Sequence, residues 1–567
     1  MTPQYDPERE KLHQMLHRTV DRRMLMRGTA AALGAGALAR FLAACGGGEE
    51  ETGGGGDSSG GDSGGAAQTP AASGSPAAGA GKPGGTLRVA IIGEPPAFDP
   101  TFTTATITQN TTAHVFETLW AQDNQFSPQP MLLESADIQE EGKVFVLNLR
   151  QGVKFHNGEE MKADDVIASL ERYAKLSGRG KTLFARVEGL DKIDDYTVRL
   201  AFNAPTGIAP VFLQMRDAII IPKSIADAAP DGEMGEFIGT GPFMLKERLP
   251  DRYISLVRFE DYAKRDEPPN NFAGGKTAYF DEIRFIPVSE QAVRSDGLIT
   301  DEFDFAEDLS KDNFEALEAE PSVELQITLP YYFYGAHFNK SEESIMSNRD
   351  LRMALLTAID MEPVARAGFG DERFWRLGPE ISAPESAWYT DAGKQYYDLK
   401  DPDKAREMLQ AAGYDGTPIR WIATKEYSYN YNMGLVMKDQ MEKAGAVIDF
   451  QVMDWATLVS QRSQKDAWDI FITGHPSYNH PILQVFLPET WPGWWVNSRK
   501  DELMTAIIEE TDPAKQLEYI AELQELWWSE ASMIKVCEGA TLRGYRTRLK
   551  GYNNPTDWNF FNAWFEE

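Results

Sequence analysis

The chain has 567 residues, with 56 basic and 87 acidic side chains, and so a formal net charge of −31 at pH 7. Such acidity excludes a nucleic-acid surface, which needs clustered Lys and Arg to meet phosphates. Two cysteines, Cys45 and Cys537, exclude a disulfide framework.

The first element in chain order is an address. Arg22-Arg23 is followed by an apolar and small-residue run, Gly28 to Ala39, and then by Leu42-Ala43-Ala44-Cys45, with Arg40 interrupting near the end. A basic stretch, an apolar stretch of about 7 to 15 residues and small residues at a cleavage point predict an export signal, since a membrane span needs about 20 apolar residues. LAAC resembles a lipobox, whose cysteine is acylated and becomes the first residue of the mature chain. DRRMLM resembles a twin-arginine signal with Asp21 in the place of the usual Ser or Thr. Residues 1–44 are therefore expected to be removed, and a lipid on Cys45 would hold the protein to a membrane surface without spanning it.

Residues 45–83 are rich in Gly, Ser, Ala and Pro, a composition that buries too little apolar surface to offset ordering entropy. A flexible tether is expected, reaching roughly 35 Å for forty residues. Within it Gly61-Asp62-Ser63-Gly64-Gly65 copies the nucleophile stretch of trypsin-like proteases, but a Gly/Ser tract has no packed frame to aim a base or oxyanion donors. About 480 residues follow, too many for one core, so two or three lobes are expected.

Short β-branched or alternating runs then recur: TLRVAII (86–92), KVFVLNLR (143–150), YTVRLAF (196–202), YISLVRF (253–259), EIRFIPV (282–288) and VELQITL (323–329). In the second, Phe145, Leu147 and Leu149 share a face, as a half-buried strand requires. Helices carry their own punctuation. DPDKAREMLQAAG has Asp401 as N-cap, Pro402 in the first turn and Gly413 as terminator, and TDPAKQ repeats the device with Asp512 and Pro513. From 418 to 473 strand and helix alternate, IRWIA, NMGLVMKDQMEKAG, AVIDFQVM, WATLVSQRS, WDIFITG, which predicts crossovers onto a largely parallel sheet. Ligands of such sheets sit beyond the carboxyl ends of the strands, which points to the loop from Gly474 onward. Cys537 is expected to be a buried small hydrophobe.

Six ordered blocks now carry a resemblance. GGTLRVAIIGEPPAFDP (84–100), LNLRQGVKFHNGEEMKADDVIASLERY (147–173), IGTGPFMLKERLPDRYISLVRFEDY (238–262), FDEIRFIPVSEQAVRSDGLITDEFDFAED (280–308), NRDLRMALLTAIDMEPVARAGF (348–369) and YDLKDPDKAREMLQAAGYDG (397–416) resemble, in order and spacing, the solute-binding proteins of peptide-type ABC importers. The resemblance spans about 84 to 567. It implies an α/β, bilobal periplasmic-binding-protein type II fold with an additional side domain: lobe I from 84–122, 236–329 and 536–567, a side domain from 123–235, and lobe II from 330–535. It further implies a monomeric receptor outside the cytoplasm, periplasmic or on the outer face of the membrane, that closes on a solute or peptide and hands it to ABC permease subunits without making or breaking a bond.

Within these blocks the residues themselves read mostly as structure. His156, in a strand-turn-helix entry, is expected to pack, and Gly239 and Gly241 of GTGPF are expected where the backbone turns tightly before a strand. NNFAGGKT (270–277) mimics a phosphate loop, but Asn270 stands where its first glycine is required. Aromatic and polar residues in loops supply ligand-binding candidates: Phe98, Phe102, Trp375, Arg376, His475, Tyr478, His480 and Trp491. Arg373 and Arg376 suit a ligand carboxylate as planar forks. His475 and His480 are five apart in a proline-broken loop, poor spacing for a metal, so neither metal nor cofactor is expected.

An exported hydrolase is disfavoured because no G-x-S-x-G elbow and no H-E-x-x-H is present. A sensory receptor would use the same fold. One departure bears on the ligand. Peptide-binding members commonly follow the strand aligned with WDIFITG by glycine, tryptophan and an aspartate that pairs with the peptide ammonium. Here Gly474 is followed by His475-Pro476-Ser477-Tyr478-Asn479-His480-Pro481, with no aspartate. An ammonium without a partner in a closed pocket loses several kcal/mol. The expected ligand is therefore a peptide held through its backbone, or a non-peptide solute such as an oligosaccharide or amino-acid conjugate.

Overall fold

The structure is a computed structural model and describes residues 81–567, apart from Thr104, Glu426, Tyr478, Asn479, Asn553, Pro555, Glu567 and the side chains of Trp455, Ala456 and Val459. The export signal, Cys45 and the tether up to residue 80 lie outside the described residues.

One sheet of eleven strands organises the described chain. From edge to edge it runs Ile448–Val452, Ile419–Ala423, Ile470–Pro476, Val323–Phe338, Met533–Arg546, Phe305–Ala306, Thr86–Ile91, Glu282–Pro287, Tyr253–Arg258 and Phe243–Leu249, with Trp375–Arg376 paired beside Met533–Arg546. Ile419–Ala423 is parallel to both Ile448–Val452 and Ile470–Pro476, the arrangement that the strand-helix alternation predicts. Thr86–Ile91 is parallel to Glu282–Pro287. The two long strands in the middle are antiparallel and belong to both halves of the molecule. VELQITL predicts only the start of the first of them, because the run is interrupted by Pro330 and then continues as aromatics to Phe338.

A separate four-stranded antiparallel sheet, Leu133–Gln139, Val144–Leu149, Thr197–Phe202 and Val187–Asp194, packs against helix Ala163–Leu176. Phe145, Leu147 and Leu149 are buried together, and the helix buries Val166, Leu170 and Tyr173 in the same core. The helix is joined to the first-strand loop by a buried ion pair. Arg172 donates to both carboxylate oxygens of Asp99, which also accepts from the Thr101 and Met234 amides at 3.0 and 3.1 Å.

Local signals behave as chemistry requires. Asp401 accepts from the Lys404 amide ahead of helix Pro402–Ala411, and Gly413 takes φ 77° beyond its end. Asp512 likewise caps Pro513–Ser529. Gly239 and Gly241 have a different reason from the tight turn expected of them. Neither has the left-handed φ of a turn, and a Cβ on either would lie 2.1 Å from the Val115 carbonyl oxygen or 2.5 Å from that of His114. Close backbone approach demands them. His156 clamps the same stretch, with its Nε2 2.9 Å from the Gly241 carbonyl oxygen and its Nδ1 accepting from the Gly239 amide.

Candidate ligand-binding site

The register of the central strands decides what faces where. Tyr332 lies opposite Pro476, Phe333 opposite His475, and Tyr334 opposite Gly474. Successive side chains leave a strand on opposite faces, so these pairs alternate. On one face Tyr332 and Pro476 enter the wall of a cavity, and Tyr334 packs on Phe369 and Tyr429 with centroids 5.0 and 5.2 Å away. Gly474 is required there, because a Cβ would stand 2.6 Å from the Tyr334 ring. On the other face His475 packs with Phe333, Phe486 and Trp491, and its Nε2 lies 2.8 Å from Nε2 of His337. One imidazole donates and the other accepts, and burial pulls the His475 pKa down to about 3.

The cavity encloses about 200 Å³. Its walls come from helix Thr106–Thr112 and the chain after it, from Arg179, from Gln214 to Arg216, from Phe272 and Lys276, from Tyr332 on the long strand, and from Pro476 and Val485. Pro476 and Val485 come from the half of the sheet that contains Ile470–Pro476, so both halves of the molecule contribute. The wall is half apolar, with Phe116, Met131, Ile219 and Phe272 among amides and hydroxyls of Gln109, Gln122 and Thr112.

Its charged residues are paired through the scaffold. Lys276 donates to Glu117 at 2.8 Å, and Glu117 also accepts from Tyr262 at 2.9 Å and Thr240 at 3.1 Å. Burial beside that carboxylate drives the Tyr262 hydroxyl pKa well up. Arg216 donates to Asn110 at 2.7 Å and to Asp557 at 2.6 Å, and Arg179 to Asp217 at 3.3 Å. Tyr332, held above its usual range by burial, faces Thr106, Asp557, Arg216 and Arg179. These groups can orient a small polar molecule. Cys537, the one thiol of the described residues, is buried and free, and its pKa is pushed up by desolvation, so it offers no nucleophile.

Of the eight residues expected from sequence to bind ligand, Tyr478 lies outside the described residues, and none of the other seven lines this cavity. Phe98 is fully buried against Phe237 with the Arg248 guanidinium over it, whereas Phe102 next to it is 49% exposed. Trp375 donates to the Gly370 carbonyl, and Arg376 is spent on a two-pronged pair with Glu385 and a bond to Glu538. His475 and Trp491 share the His337 cluster. His480 meets Trp388 edge to face and accepts from the Ile482 amide, which caps a short turn. Gln109, Arg179, Gln214 and Arg216 carry no motif of their own, and Lys276 stands in NNFAGGKT, which mimics a phosphate loop without its first glycine. The signal that could have marked the wall is Tyr331-Tyr332-Phe333-Tyr334, an aromatic run continuing a strand.

Among the described residues no cluster of three or more His, Cys, Asp or Glu could hold a metal ion, and no helix is long and apolar enough to cross a membrane.

Comparison with known proteins places this geometry in a family. Residues 127–488 match the family model of bacterial extracellular solute-binding proteins, family 5 Middle. The protein of Sinorhizobium fredii named "Probable peptide ABC transporter periplasmic-binding protein y4tO" is 27% identical over 495 residues, 82% of this chain and 91% of its own. The fold is similar to that of the substrate-binding protein CtaP of Listeria monocytogenes, with a TM-score of 0.75 at 19% identity over 86% of this chain and 100% of the other. It is also similar to that of DppA of Helicobacter pylori, solved with the peptide STSA, with a TM-score of 0.71 at 21% identity over 86% and 99%. The mixed sheet, the two halves joined by long shared strands and the added four-stranded sheet are those of the type II periplasmic binding proteins, and the chain belongs to the bacterial extracellular solute-binding proteins of family 5.

Proposed function

We propose that this protein is the solute receptor of an ABC importer, held to the outer face of the membrane by a lipid on Cys45, that captures a peptide or peptide-like solute and delivers it to the permease. The observation that carries this is the cavity at the central strands, walled from both halves of the molecule. The family match and the relative named as a peptide ABC transporter protein support it. Lobe I (84–122, 236–329, 536–567), the side domain (123–235) and lobe II (330–535) would rotate about the central strands, and binding energy would stabilise the closed form that the permease recognises. The protein acts alone as a monomer and catalyses nothing. The missing aspartate after Gly474 favours a peptide held by its backbone, or an amino-acid conjugate, over a dipeptide gripped by its amino end.

The test is to purify the protein under native conditions, identify any co-purifying small molecule by mass spectrometry, and compare stripped and reloaded protein by small-angle scattering. A more compact particle on reloading is expected, and an unchanged radius at saturation refutes closure. In cells, Cys45→Ala should leave the membrane fraction, and unchanged membrane partitioning refutes the anchor.

A further inference from the structure

The charged groups in the cavity wall are not balanced. Arg179, Arg216 and Lys276 line it, against Glu117 as the one carboxylate among its described lining residues. Asp217 and Asp557, the partners of the two arginines, are not among the lining residues. A charge entering the cavity therefore has two arginines on the wall with it, and their carboxylate partners off the wall. A guanidinium carries five N–H donors in a planar fork, and the bonds of Arg216 to Asn110 and Asp557 use two. Glu117 offers little to an incoming ammonium, since Lys276, Tyr262 and Thr240 already donate to it. Gln214 supplies the complementary half. It lines the cavity and is buried, its Nε2 is turned to the Phe126 carbonyl at 3.4 Å, and its Oε1 has no donor among the described residues. A buried acceptor left without a donor is costly, and a ligand N–H or O–H would satisfy it.

We infer that the solute is acidic and lacks a free amino group at this site: its carboxylate is received by Arg216 and Arg179, and an amide N–H or hydroxyl on it donates to Gln214 Oε1. An N-blocked acidic peptide and an amino-acid conjugate share this chemistry. The inference rests on the solute-receptor reading above and narrows its ligand class.

The probes are N-acetyl-alanyl-glutamate, the same compound with both carboxylates converted to amides, the free dipeptide Ala-Lys, and a sugar-acid conjugate of glutamate, each titrated by calorimetry into protein stripped of bound solute. The acidic blocked peptide or the conjugate should bind at least about tenfold tighter than the diamide, and which of the two binds better distinguishes the two sources. Arg179→Gln and Arg216→Lys should each reduce that preference to within about threefold. Gln214→Leu should weaken both acidic probes and keep the preference. Equal or better binding of the diamide, or a preference for Ala-Lys, overturns the inference. If no probe binds, the charge of the co-purified solute decides: an acidic solute upholds the inference, and a neutral or cationic one overturns it while leaving the receptor reading intact. No co-purified solute and no binding of any probe would sink the receptor reading itself, and this inference with it.

Discussion

Mild acid should destabilise this protein steeply, through its histidines. Five of the seven histidines lie among the described residues, and all five are held in the neutral form. Burial pulls His114, His475 and His480 down to about 3 and His156 to about 4, and takes His337 well below its ordinary value. Lys276 and Arg216 press His114 in the same direction and Arg462 presses His475, whereas Glu117 opposes the shift at His156. As pH falls below about 6.5 an unfolded histidine takes up a proton and these folded ones do not. The unfolded state then binds more protons, so stability drops with pH from about 6.5 down to the folded values, and the effect vanishes above 6.5. At pH 5 each group costs about 2 kcal/mol, or about 8 kcal/mol for the four with values, as an upper bound. That is of the order of the whole stability of a domain.

Asp301 and Glu267, lowered to about 2 by their arginine partners, act only at more acid pH. Glu307 and Glu538, raised by burial, work in the opposite direction. Their effect lies above pH 4.5 and so offsets part of the histidines' loss, which makes the sum above an upper bound. Urea unfolding followed by tryptophan fluorescence at pH 7.5, 6.5, 5.5 and 5.0 measures the net loss. In His480→Asn the new side-chain oxygen still accepts from the Ile482 amide, so the cap survives while one titrating group is lost, and proton uptake on unfolding should fall by about one. Stability that stays flat from pH 7.5 to 5.0, or a slope unaltered in His480→Asn, refutes the reasoning.

Two further substitutions, each with a companion variant, probe the frame. Asp99→Ala strands the buried Arg172 cation and should cost about 3 to 5 kcal/mol in urea midpoints, with Arg172→Met in the same chain recovering part of the loss. Gly239→Ala drives a Cβ into the Val115 carbonyl oxygen and should cost about 2 kcal/mol or more, whereas Gly178→Ala, with nothing within 4 Å of its added Cβ, should change stability by less than about 0.5 kcal/mol.

Much of this protein is legible in its sequence because the signals are local. Alternation along KVFVLNLR, the Asp-Pro starts at 401 and 512 and the strand-helix succession after 418 each depend on neighbours a few residues apart, and the structure has these elements where the chain chemistry puts them. The order of blocks carried the fold class by resemblance. Tertiary structure alone decided the site. Whether Pro476 or His475 faces the cavity turns on a single residue of register between Val323–Phe338 and Ile470–Pro476, and period-two alternation then sends the more polar residue into the core. Arg179, Gln214, Arg216 and Lys276 are brought together from separate parts of the chain, and what makes them a site is that they share one wall while Asp217 and Asp557, the partners of the two arginines, are not part of it, a property of three-dimensional arrangement that no run of neighbouring residues contains.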